Sequence, residues 1–91
     1  MLLKLLTELI GTFVFLGVIL ATGEAIPIGI ALAAVILFGG KVSGGHFNPA
    51  VTVMMLANGG IEMNEAVGYI ASQVVGGLAA LRFTQMVAAS A

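Results

Sequence analysis

Residues Ser43 to Thr52 read Ser-Gly-Gly-His-Phe-Asn-Pro-Ala-Val-Thr, and they interrupt a chain that is otherwise almost continuously apolar. The 91 residues are 60% hydrophobic and 8% charged, with a mean hydropathy of +1.21. A soluble domain of this size could not hide so much apolar surface, because small domains leave a large fraction exposed. The class is therefore integral membrane protein. Inside a bilayer, irregular backbone must be shielded from lipid, and it usually lines a route for something that crosses. Asn-Pro also fits the opening of a helix, with Asn48 as N-cap and Pro49 at the first position, where its missing N–H costs nothing. The segment predicts a short helix that begins part-way through a membrane, its positive end and an amide side chain facing a passage.

The rest of the composition narrows the partners. A net charge of −1 leaves no basic patch, so nucleic acid is excluded. Without cysteine there is no disulfide, no thiolate metal site and no thiol nucleophile. Neither a cofactor nor a metal is implied. Lys4 followed by an apolar run imitates a signal peptide, but the run is long enough to span and Glu8 falls early in it. The expectation is a multi-pass protein of the inner or plasma membrane.

Along the chain, the spacing predicts a first span over residues 3–22 and a second over 27–40, with Pro27 in its first turn. The second helix proper runs from about Ile28 to Phe38 and is ended by Gly39-Gly40-Lys41. It is short for a span; either it continues through the glycines, or it lies where the membrane is thin or protein shields it. A re-entrant loop and half-helix occupy 42–58, stopped by Asn58-Gly59-Gly60. A last span covers 64–88, with Asn64 as candidate N-cap. On that span Gly68, Ser72, Gly76, Ala80 and Thr84 form one four-residue ridge of small side chains. Such ridges let helices approach closely in lipid. Three spans and a half-helix do not readily enclose a pore alone, so the ridge suggests self-association.

Few residues could carry chemistry. Asn48 either caps its helix only, or also offers an amide donor to a polar solute at mid-membrane, backed by about half a positive charge from the helix. Gly44 and Gly45 allow an extended backbone with exposed carbonyls, a ladder of acceptors in place of bulk water. His46, the single histidine, has no second ligand or acid beside it in sequence. A histidine bonded to loop backbone is the favoured reading, with gating or pH sensing as the other. Glu8 is costly in a bilayer; it is either an acceptor for loop N–H groups or a protonatable group driving exchange. Gln73 reads as a loop-bracing hydrogen-bond partner. No nucleophile–base–acid set, paired carboxylates or phosphate-cradling loop occurs, so no enzyme is indicated.

These residues resemble a known family. Ser43–Thr52 is similar to the first Asn-Pro-Ala box of the aquaporin, or major intrinsic protein, family. Glu8-Leu9-Ile10-Gly11-Thr12 resembles its first-helix signature, and Gly68-Tyr69-Ile70 with Gln73-Val74-Val75-Gly76-Gly77 resembles its third helix. The resemblance covers the whole chain but half of the family's architecture, in which two such repeats lie inverted in the membrane. It implies that Asn48 is the pore amide donor and that Gly44, Gly45 and His46 supply pore-facing carbonyls. It also implies that Pro49 and Ala50 stack against a facing half-helix, and that Glu8 braces the loop. Two departures stand out. Val51 occupies the filter-adjacent position where the family's second repeat usually has arginine, and no aromatic lies between Ile26 and Leu37 to serve the second-helix filter.

The sequence thus points to an all-α membrane protein, three transmembrane helices plus one re-entrant half-helix, completed by an inverted second copy. Its expected work is passive conduction of water or a small neutral solute. Lys4 and Lys41 fall on one side and Arg82 towards the other, a charge bias weak enough for both orientations. Two other readings are a small dual-topology proton-coupled exporter that switches on Glu8, and a non-conducting fragment or partner subunit of another channel.

Overall fold

The computed structural model describes residues 1–91 as four helices: α1 Leu2–Thr22, α2 Ala25–Ser43, α3 Pro49–Ala57 and α4 Met63–Ser90. Of these, α1, α2 and α4 are long and apolar enough to cross a membrane. The chain is an integral membrane protein, and its surface is that of one: Leu37 and Phe38 are 78% and 88% exposed, at home only against lipid or another apolar surface.

Glycine ends the first two helices. Gly23 closes α1 in the left-handed region (φ 63°), its N–H donating to the Ile19 carbonyl. Gly44 (φ 91°) closes α2 in the same way, donating to Gly40. Of the two readings of the second helix, the one that continues through the glycines holds: it starts at Ala25 and passes through Gly39-Gly40-Lys41 without a break. At about 1.5 Å per residue it reaches roughly 28 Å, a full span. Gly39 is a packing notch, not a stop: a Cβ there would lie 3.1 Å from the Phe47 ring and 2.7 Å from the Thr7 methyl. A correction concerns α4, whose N-cap is Glu62, with no side-chain capping bond, rather than Asn64.

Helix α1 is the centre of the bundle, packed against α2 on one side and α4 on the other, while α3 rests on α4. Lys4 Nζ lies 3.0 Å from a Glu65 carboxylate oxygen, joining the starts of α1 and α4, so these two run parallel. The turn at Gly23-Glu24 sends α2 back antiparallel to α1. One end of the bundle, end A, therefore collects Lys4, Lys41 and Glu65; end B holds the α1–α2 turn and the end of α4.

The small-residue ridge of α4 is spent inside the chain. A Cβ on Gly68 would meet the Leu5 side chain at 2.9 Å, and one on Gly76 would press on the Leu9 carbonyl; Ser72 and Ala80 are buried beside them. From Gly68 to Ala80 the ridge seats α1, with the close approach expected of small residues.

Candidate functional site

Segment 44–48 leaves α2 at its left-handed glycine and enters α3 through Asn48-Pro49. What shapes it is a set of buried polar groups from all three long helices. Glu8 of α1 is wholly buried, and both of its carboxyl oxygens are filled. Oε2 accepts from Ser43 Oγ (2.7 Å) and the His46 N–H (3.1 Å), and Oε1 from the Phe47 N–H (2.8 Å) and Gln73 Nε2 (2.8 Å). Two helices and the loop are thereby tied to one side chain. A carboxyl group in this setting is tolerable only because every acceptor position has a donor.

Gln73 of α4 bridges onward, its Nε2 also donating to Thr52 Oγ1 of α3 at 2.9 Å. Thr52 Oγ1 is in turn 2.8 Å from His46 Nδ1. Gln73 gives both N–H bonds to this network while its buried Oε1 has no partner, at a cost of about 1–3 kcal/mol. The histidine differs from expectation: its ring bonds to the threonine hydroxyl, not to loop backbone, and sits 5.0 Å from the Tyr69 ring. Tyr69 donates its hydroxyl to the Ser43 carbonyl. His46 and Tyr69 line a cavity of about 290 Å³ at end A, with Lys4, Ser43, Gly44 and Glu65 on its walls.

The loop backbone is consequently one-sided. The N–H groups of Gly44, Gly45, His46 and Phe47 all donate within the chain, to Gly40 O, Ser43 Oγ and the two Glu8 oxygens. The carbonyls of the same residues accept no hydrogen bond from it. Gly44 is exposed, Gly45 half-buried, and His46 buried. At the end of the row stands Asn48, exposed, with Oδ1 accepting the Ala50 N–H at 2.8 Å. That cap occupies the oxygen and leaves Nδ2 as an outward donor. Pro49 and Ala50 are exposed beside it, and Val51 is half-buried. The tip of α3 thus meets no cover from its own chain.

Phe47 is the residue that sequence reasoning passed over. It has a positive φ of 53°, yet its side chain is only 1% exposed. Its ring lies over Gly11 of α1 and Gly39 of α2, so tightly that a Cβ on Gly11 would overlap it. Thr52, Ser43 and Tyr69 were missed as loop holders as well. A bulky apolar residue inside a glycine-rich polar loop, and two helix-interior glycines with no turn to make, were the available signals.

The family model described as "Major intrinsic protein" matches residues 21–91 of the chain. Among curated proteins, "Glycerol uptake facilitator protein-like 6" of Lactiplantibacillus plantarum is 47% identical over 85% of this chain and 40% of its own length. "Aquaporin Z" of Photorhabdus laumondii is 37% identical over 97% of this chain and 45% of its own. "Aquaporin-5" of Rattus norvegicus is 37% identical over 84% of the chain. This chain therefore spans less than half the length of the first two relatives. No solved structure matches it.

Proposed function

This chain belongs to the major intrinsic protein family, and on that premise we propose that it forms half of a passive channel for water or small neutral solutes. The second half is an inverted copy of itself, whose Asn-Pro-Ala tip meets this one in mid-membrane. The observation that carries the reading is the one-sided loop, with N–H groups turned inward and free carbonyls leading to an exposed asparagine donor.

A row of acceptors ending in a donor suits a neutral molecule that can do both. Each carbonyl replaces one hydrogen bond lost from bulk water, so entry costs little. Asn48 Nδ2 and the positive end of α3 together donate to the solute's oxygen and repel cations. Val51, uncharged and half-buried, leaves the passage beside the tip wider than a cation-bearing residue would. Two further facts support a facing partner. Lipid cannot satisfy bare carbonyls, and Pro49 and Ala50 are exposed. That Glu8 already holds four donors favours bracing over a switching role.

Proteoliposomes containing the chain should show raised osmotic permeability, falling towards that of empty vesicles when Asn48 and Pro49 are replaced together. Permeability no higher than that of empty vesicles removes the channel reading. Crosslinking within membranes separates the partners: antiparallel homodimers support the inverted copy, whereas parallel or monomeric chains reject it. Val51→Arg should lower glycerol passage more than water passage, and an unchanged ratio would take Val51 out of the filter.

A further inference from the structure

Arg82 lies on α4, exposed, with no hydrogen bond and no ion pair; the chain's one ion pair, Lys4–Glu65, is at the opposite end. Its depth is unusual. The next residue, Phe83, packs its ring edge-on against Phe13 near the middle of α1, with centroids 5.8 Å apart. A Cβ on Gly76 would lie 2.5 Å from the Leu9 carbonyl oxygen and 3.3 Å from the Phe13 nitrogen, so Gly76 is level with the turn of α1 between them. Arg82, six residues or about 9 Å further along α4, is level with about Gly17 or Val18 of α1, roughly 7 Å short of the α1 end at Thr22. Arg82 therefore starts inside the apolar span, about one side-chain length below the end of α1.

The side chain also points away from the bundle. Ser72, Gly76 and Ala80 face α1 and are buried, whereas Val75, Leu78 and Met86, on the Arg82 side of the helix, are 53%, 61% and 58% exposed. Gln85 follows three residues later on the same face, also exposed and without a partner. On a surface otherwise made for hydrocarbon, a guanidinium and an amide stand together. Such a charge is tolerated in a membrane when its apolar stem lies along the helix and its head reaches the interface.

The geometry points to Arg82, assisted by Gln85, as a binding site for the phosphate of an anionic phospholipid in the end-B leaflet. The stem would run along about one turn of α4 towards end B and the guanidinium would meet a headgroup from below. No carboxylate of this chain suits the same role. Glu8 is buried with both oxygens filled, Glu65 is paired with Lys4, and Glu24 makes no ion pair with Arg82. An inverted copy would bring its own end A to this level. Its free acid, Glu62, precedes its α4 and so stands beyond the span, not at the depth of Arg82. A net-anionic headgroup is preferred because a zwitterionic one neutralises its phosphate with its own ammonium.

The test uses the whole chain in vesicles of equal parts phosphatidylcholine and phosphatidylglycerol, released into native mass spectrometry to identify the lipids retained. One arginine near a membrane surface should enrich phosphatidylglycerol about fivefold among them. Arg82→Leu should return the ratio to that of the vesicle, Arg82→Lys should keep most of the enrichment, and Gln85→Leu should lower it partially. Circular dichroism of each variant checks that the helices persist. Equal retention of the two lipids by the unaltered chain overturns the site, as does enrichment unchanged in Arg82→Leu. Loss of a protein oligomer in Arg82→Leu, with the lipid ratio constant, overturns it in favour of a protein carboxylate as partner. Osmotic permeability plays no part in the readout, so failure of the channel reading and of the lipid site are separately visible.

Discussion

The inner and outer sides of residues 44–50 are built on opposite rules. Inside, the N–H groups of Gly44 to Phe47 all have acceptors, Phe47 fills a notch between two helices, and Glu8, Gln73 and Thr52 are all but completely buried. Outside, Asn48, Pro49 and Ala50 are exposed and the carbonyls of residues 44–47 are bare. The inner side is where folding energy holds the shape; the outer side is left free of internal bonds so that it can make others. Strain belongs to the same division, for the positive φ of Phe47 is held by the packing of its own ring.

If this division is right, stability and conduction should respond to different residues. Phe47→Ala should have the largest effect on stability, about 3–5 kcal/mol, because a buried ring leaves a cavity between α1 and α2. Unfolding by detergent titration would measure it, and a loss below 1 kcal/mol would show that the ring does not hold the loop. Glu8→Gln should cost about 2–3 kcal/mol, since the new amide turns an NH2 group towards donors. A thermal melt in micelles checks this, and an unchanged midpoint would break the inner half of the comparison.

Gln73→Leu should cost less, about 1–2 kcal/mol. It removes one donor from Glu8 and one from Thr52, and it also removes the orphaned Oε1. Asn48→Ala should cost least, about 1 kcal/mol, the worth of an N-cap. The same substitution should nonetheless reduce osmotic permeability more than Gln73→Leu does, per folded molecule. Asn48→Ala melting as low as Glu8→Gln would show that the tip is structural, and the two sides would no longer differ.

Much of this was legible in the residues. The apolar runs announced three spans because length and hydropathy are local properties. Asn48-Pro49 announced the half-helix because capping chemistry involves only adjacent residues. The end of α2 stayed open in the sequence because glycine has two uses. Gly39 and Gly40 look like a stop, but Gly39 is there to admit the Phe47 ring, and only Gly44 adopts the backbone of a cap. The small-residue ridge was visible, yet its partner was not. Close approach is written on one helix only, and nothing in Gly68 or Gly76 says whether α1 or a second chain will fit.

By itself, then, the sequence determined a membrane-spanning α-helical chain with one helix that starts at a capped asparagine. Hydrophobicity and end-capping act over a few residues and need no knowledge of the whole. Tertiary structure alone decided that Glu8, Ser43, Thr52 and Gln73, as far as 65 residues apart, form one network. It alone decided that this network takes up the loop N–H groups while the carbonyls remain free. Hydrogen bonds of that kind depend on which faces of α1 and α4 meet, and that is set by close packing at Gly68 and Gly76.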